Sequence, residues 1–106
     1  MVGTRSLADV ERAHRALERV GAGPAQQTQL SRGALTGYVW ALGRGDQAPI
    51  TGASCEGTPD LPLLTAEVDA AVVQLADAAQ RTTPRDFIQG VHDALAWICG
   101  QSDMRP

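Results

Sequence analysis

Apolar residues recur at spacings of three and four in four stretches of the chain, and each stretch predicts an amphipathic helix. Leu7, Val10, Ala13, Leu17 and Val20 form the first stripe. Ser6 stands where an N-cap belongs, Asp9 where a capping box would reach back to it, and Gly21 where the helix should stop. Leu30, Ala34, Leu35, Tyr38, Ala41 and Leu42 form the second, in a helix expected to begin at Pro24. Leu61, Leu64, Val68, Ala71, Leu75 and Ala78 form the third, behind Asp60 as the cap. That seam is heptad-like but too short and too alanine-rich for a coiled coil, so it predicts a bundle helix. The fourth stripe holds Phe87, Ile88, Val91, Ala94, Leu95 and Ile98, with Thr83 expected to cap, Pro84 to start and Gly100 to stop the helix.

The connections complete the outline. Gly21-Ala22-Gly23 is short enough to make the first two helices antiparallel neighbours, and Arg81-Thr82-Thr83 turns the third into the fourth. Residues 43–60 have no apolar period and are rich in Gly, Pro, Ser and Thr, which marks a long loop that Ile50 should pin to the bundle. The predicted fold is all-α, a four-helix bundle-like arrangement of two antiparallel hairpins in a single domain. The hairpins span 6–42 and 61–100, with the loop at 43–60 between them and a loose tail at 101–106.

Small residues add a second pattern. Gly33, Gly37 and Ala41 follow each other at four-residue spacing beside Trp40, and Gly90 shares a flank with Trp97. Each helical glycine costs about 1 kcal/mol of propensity, so a neighbour should pack closely there to offset it. The two strips also match. Gly33, Trp40 and Gly43 echo Gly90, Trp97 and Gly100 at an offset of 57, and Ala8 to Leu17 echoes Ala66 to Leu75 at 58. Internal duplication of a hairpin would leave this trace, and it predicts a pseudo-two-fold relation between the halves.

Composition narrows the function classes. The net charge is -3, with +2 in residues 1–32 and -5 after them, which opposes a generally basic nucleic-acid binder. Every one of the nine basic side chains is Arg, which with abundant Ala and Gly suggests a GC-rich bacterial source. No apolar run approaches a membrane span and no signal segment is evident, so a cytoplasmic location is expected, with Cys55 and Cys99 as reduced, structural thiols.

Recognisable chemistry is sparse. His14, His92, Cys55 and Cys99 have no metal-ligand spacing, and no cofactor is expected. No serine stands in a nucleophile elbow, no glycine-rich phosphate loop follows a strand, and Arg44-Gly45-Asp46 reads as a helix stop and turn. The sequence therefore favours a non-catalytic interaction or regulatory module, binding another protein or a second copy of itself as a homodimer. Its expected interaction surface is Gly33, Gly37, Trp40, Gly90 and Trp97. Two alternatives remain. One is a nucleic-acid regulator using Arg5, Arg12, Arg15 and Arg19. The other is a small enzyme or ligand-binding protein with a site under the 43–60 loop, drawing on Cys55, His92 or Tyr38.

Overall fold

In a computed structural model that describes residues 2–20, 28–45, 47–54, 57–77, 79 and 83–106, the described chain is helical, with α1 Leu7–Val20, α2 Gln29–Ala41, α3 Leu61–Ala76 and α4 Arg85–Ile98. The expected roles of Gly21, Pro24, Asp46, Cys55, Ala78, Arg81 and Thr82 lie outside the described residues. No described helix is long and apolar enough to cross a membrane.

Local chemistry explains most helix ends. Ser6 Oγ accepts the Asp9 amide at 3.1 Å, and the Asp60 carboxylate accepts the Leu63 amide at 3.0 Å, each tying down an orphan donor of a first turn. α2 begins later than Pro24 predicts. Thr28 is extended and its hydroxyl accepts the Ser31 amide, so the threonine, a better cap than anything before it, sets the boundary. α4 also departs from expectation: its N-cap is Pro84, with no side-chain hydrogen bond, in place of Thr83.

Both hairpins are antiparallel. Along α1 and α2, Glu11 meets Arg44, His14 meets Tyr38 and Leu17 shares a concavity with Leu30, so the numbers rise on one helix as they fall on the other. At the other hairpin, Thr65 near the start of α3 hydrogen-bonds to Cys99 at the end of α4. α2 and α4 make the most extensive helix contact, and each carries one outer helix, α1 on α2 and α3 on α4. One apolar cluster draws on all four helices, including Val10, Tyr38, Trp40, Val68, Leu95 and Trp97.

Three expected stripe residues are exposed: Leu7 by 50%, Leu30 by 43% and Leu61 by 42%, each in the first turn of its helix. The N-terminal residues make an unforeseen contribution. Val2 is buried, the Thr4 amide and hydroxyl both donate to the Ile98 carbonyl, and Arg5 Nε donates to the Trp97 carbonyl at 2.8 Å. The final carbonyls of α4, orphaned by helix geometry, are thus satisfied from the other end of the chain.

Candidate functional site

The five residues expected to form an interaction surface are all buried, and what they meet is this chain itself. A Cβ built on Gly33 would overlap the Phe87 carbonyl oxygen and stand 2.8 Å from its carbon. One built on Gly90 would overlap the Leu30 carbonyl oxygen and stand 2.8 Å from Ala34 N. Gly33 corresponds to Gly90 in the sequence echo, and Phe87 to Leu30, so the two contacts are reciprocal. Gly37 next meets Ala94 and Val91, which carries the contact along both helices in the same direction. α2 and α4 therefore lie parallel, in the close backbone approach that small residues at four-residue spacing permit.

The ends of these helices repeat the correspondence. Leu42 and Cys99 are the C-caps, at φ -78 and -79, followed by Gly43 and Gly100 at φ 78 and 77. The Gly43 and Arg44 amides donate to the Trp40 and Val39 carbonyls, and the Gly100 and Gln101 amides donate to the Trp97 and Ala96 carbonyls. Both ends are the same Schellman-type stop, which requires a left-handed residue and so a glycine. The surroundings of the tryptophans differ. Trp97 lies under the Arg5 guanidinium at 4.7 Å and meets the edge of Tyr38, whereas Trp40 packs beneath Gly45.

The arginines divide. Arg5 is engaged at the end of α4, donating also to the Ser102 carbonyl. Arg12 pairs with Asp9 at 3.5 Å and Arg15 with Glu11 at 3.4 Å on the exposed side of α1, which makes this face the salt-bridged surface its alternating charges suggest. Arg19 is exposed. The structure does not gather the four into one stripe, since Arg5 belongs to a different contact.

The loop site looks unlike the one expected. Glu67, in the middle of α3, is 1% exposed, and its carboxylate accepts the Ile50 amide at 2.9 Å, the Thr51 amide at 3.1 Å and the Thr51 hydroxyl. A buried anion holds the turn at 48–52, which is closed by the Gly52 amide on the Ala48 carbonyl. Three charge-assisted bonds satisfy the carboxylate, leaving it a structural anchor. Ile50 also packs on the core, as its isolation in the loop suggested.

His92 and Tyr38 are elsewhere. His92 Nδ1 lies 3.0 Å from Asp93 Oδ1, and with Ser102 and Arg105 they line an open concavity of about 250 Å³ under the C-terminal tail. Tyr38 is wholly buried, with no hydrogen-bond partner for its hydroxyl among the described residues. Burial pushes its phenol up to about 12, against a smaller opposing pull from Arg105. His14 pairs with Glu18 at 2.8 Å, and no group of three potential metal ligands is found among the described residues. Burial also raises the Cys99 thiol, partly countered by the hydrogen bond with Thr65.

Exposed apolar side chains line α3. Val72 and Val73 are 49% and 57% exposed, and Leu61, Pro62, Ala66 and Ala76 are exposed with them, while Leu64, Glu67, Val68 and Ala71 are buried. No family model, curated protein or solved structure matches the chain.

Proposed function

We propose that this protein is a non-catalytic helical interaction module that presents the outer face of α3 to another protein. The carrying observation is that α3 is apolar nearly all round yet packs chiefly on α4, leaving Leu61, Val72 and Val73 at water. A helix with this pattern is normally enclosed on all sides. The glycine and tryptophan seams, occupied within the chain, are spent on joining the hairpins, so the module's external contact has to be made elsewhere. The ion-paired arginines of α1 and the anchored loop lend less support to a nucleic-acid or ligand-binding role.

Self-association is the weaker form of this reading. A two-fold contact through α3 would bring Asp69 towards its own copy, and no basic residue lies in Leu61–Ala76 to separate the charges. Light scattering after size exclusion is expected to show a monomer at high micromolar concentration. Val72→Glu/Val73→Glu should keep the wild-type helicity and lose a captured partner that Arg12→Glu retains. Equal capture by both variants would remove α3 as the contact surface.

A further inference from the structure

We infer that the occupant of this surface is a basic amphipathic helix of a different protein, with its apolar stripe on Leu61, Val72 and Val73 and its Lys or Arg side chains towards Asp69. The inference rests on the outer face of α3 being the contact surface and adds the chemistry of what covers it.

Shape comes first. α3 has 16 residues, so its exposed ridge is about 24 Å long at 1.5 Å per residue, enough to seat four turns of a second helix. The apolar positions run its whole length, from Leu61 and Pro62 through Ala66 to Val72, Val73 and Ala76, all of them exposed. Interrupting them at mid-length is Asp69, exposed and without an ion pair or hydrogen bond among the described residues. Asp60 and Asp77 mark the two ends of the helix and are also exposed.

Charge then selects the partner. Leu61–Ala76 has no basic residue, and Asp60, Asp69 and Asp77 are exposed at the start, middle and end of the helix, so the field along its outer face is negative. Such a field repels nucleic acid and anionic lipid alike. It also disfavours a contact between the α3 helices of two copies, since the second α3 is equally acidic. A cationic helix with an apolar stripe satisfies both the ridge and the field, and helix-on-helix docking of this kind is a recurring recognition mode.

Three fluorescent peptides of about 18 residues, four to five turns, share one leucine stripe and differ only in carrying Arg, Gln or Glu at the polar positions. Anisotropy titrations against the full chain should show the Arg peptide binding tightest and weakening as salt rises. Asp69→Asn should weaken it about threefold and Val72→Gln/Val73→Gln about tenfold or more, while Arg12→Gln leaves it unchanged. Replacing exposed β-branched residues by glutamine does not lower helix propensity, so the double variant folds, as circular dichroism would verify. If the Gln or Glu peptide binds as tightly as the Arg peptide, and the double variant still abolishes binding, the basic partner is wrong and the α3 surface stands. Binding indifferent to Val72 and Val73 overturns both, as does self-association that the double variant abolishes.

Discussion

Adding one methyl group at Gly33 should separate α2 from α4, although the same change in an isolated helix stabilises it. Alanine gains about 1 kcal/mol over glycine in helix propensity. Against this, the new Cβ would overlap the Phe87 carbonyl oxygen and lie 2.8 Å from its carbon, where carbon atoms rest at about 3.5 to 4.0 Å. The obstacle is backbone inside a helix, which has no rotamer to change, so the helices must part by about 1 Å along a seam that also packs Gly37 and Ala94. Overpacking of this kind costs about 1 to 3 kcal/mol and more where backbone must move, so Gly33→Ala should lose about 2 kcal/mol net. Gly90→Ala meets the Leu30 carbonyl and Ala34 N in the reciprocal arrangement and should lose a similar amount. Gly37→Ala is the internal control. Its Cβ would sit 3.4 Å from the Ala94 Cβ, an ordinary contact, and it should be neutral or gain up to about 1 kcal/mol. Urea unfolding followed by the fluorescence of the two buried tryptophans reads all three. The double variant Gly33→Ala/Gly90→Ala should cost less than the sum, because the first substitution has already opened the seam for the second. Gly33→Ala and Gly90→Ala at or above wild-type stability would refute the close approach.

Three further outcomes follow from the buried polar groups. Glu67→Gln turns an amide group towards the Ile50 and Thr51 donors, so it should cost about 2 kcal/mol and speed hydrogen exchange at those two amides, with Thr51→Ala costing about half as much. Because folding raises the Tyr38 phenol to about 12, the unfolded chain releases its proton near pH 10 while the folded chain keeps it. Stability is then full below pH 10 and falls by up to about 3 kcal/mol between pH 10 and 12. Tyr38→Phe should remove the phenol's share of this slope in alkaline melts, leaving the part that the Cys99 thiol contributes. The same variant should be neutral or slightly stabilising at pH 7, since its hydroxyl has no partner to lose among the described residues. In a Cys55→Ser background, Cys99 should react with a disulfide reagent at pH 8 well below the rate of the urea-unfolded chain, because burial raises its thiol.

The helices were legible because a 3.6-residue period survives substitution of one apolar residue for another, and Ser6 and Asp60 mark starts by chemistry that acts within a single turn. The twin glycine stops at Gly43 and Gly100 were legible for the same reason. Pairing α2 with α4 required more than pattern. The echo made Gly33 and Gly90 alike, but that each abuts the other helix's backbone is a long-range fact, and it turned an expected external surface into the interior seam. Glu67 was legible only in part. It falls in register with Leu64, Val68 and Ala71, on the buried side of α3, but a carboxylate ordinarily faces water, and its partners are backbone amides in a loop without any period. The Val2 to Arg5 strap had no readable pattern in so few residues, although the unsatisfied carbonyls at the end of α4 required some donor.

The outer face of α3 can be mapped directly by following backbone amide resonances of the labelled chain as the leucine–arginine peptide is added. Shifts concentrated at Leu61, Asp69, Val72, Val73 and Ala76, with α1 silent, are the predicted result. Shifts centred on Arg12, Arg15 and Arg19, or spread evenly over the acidic surface, would contradict it.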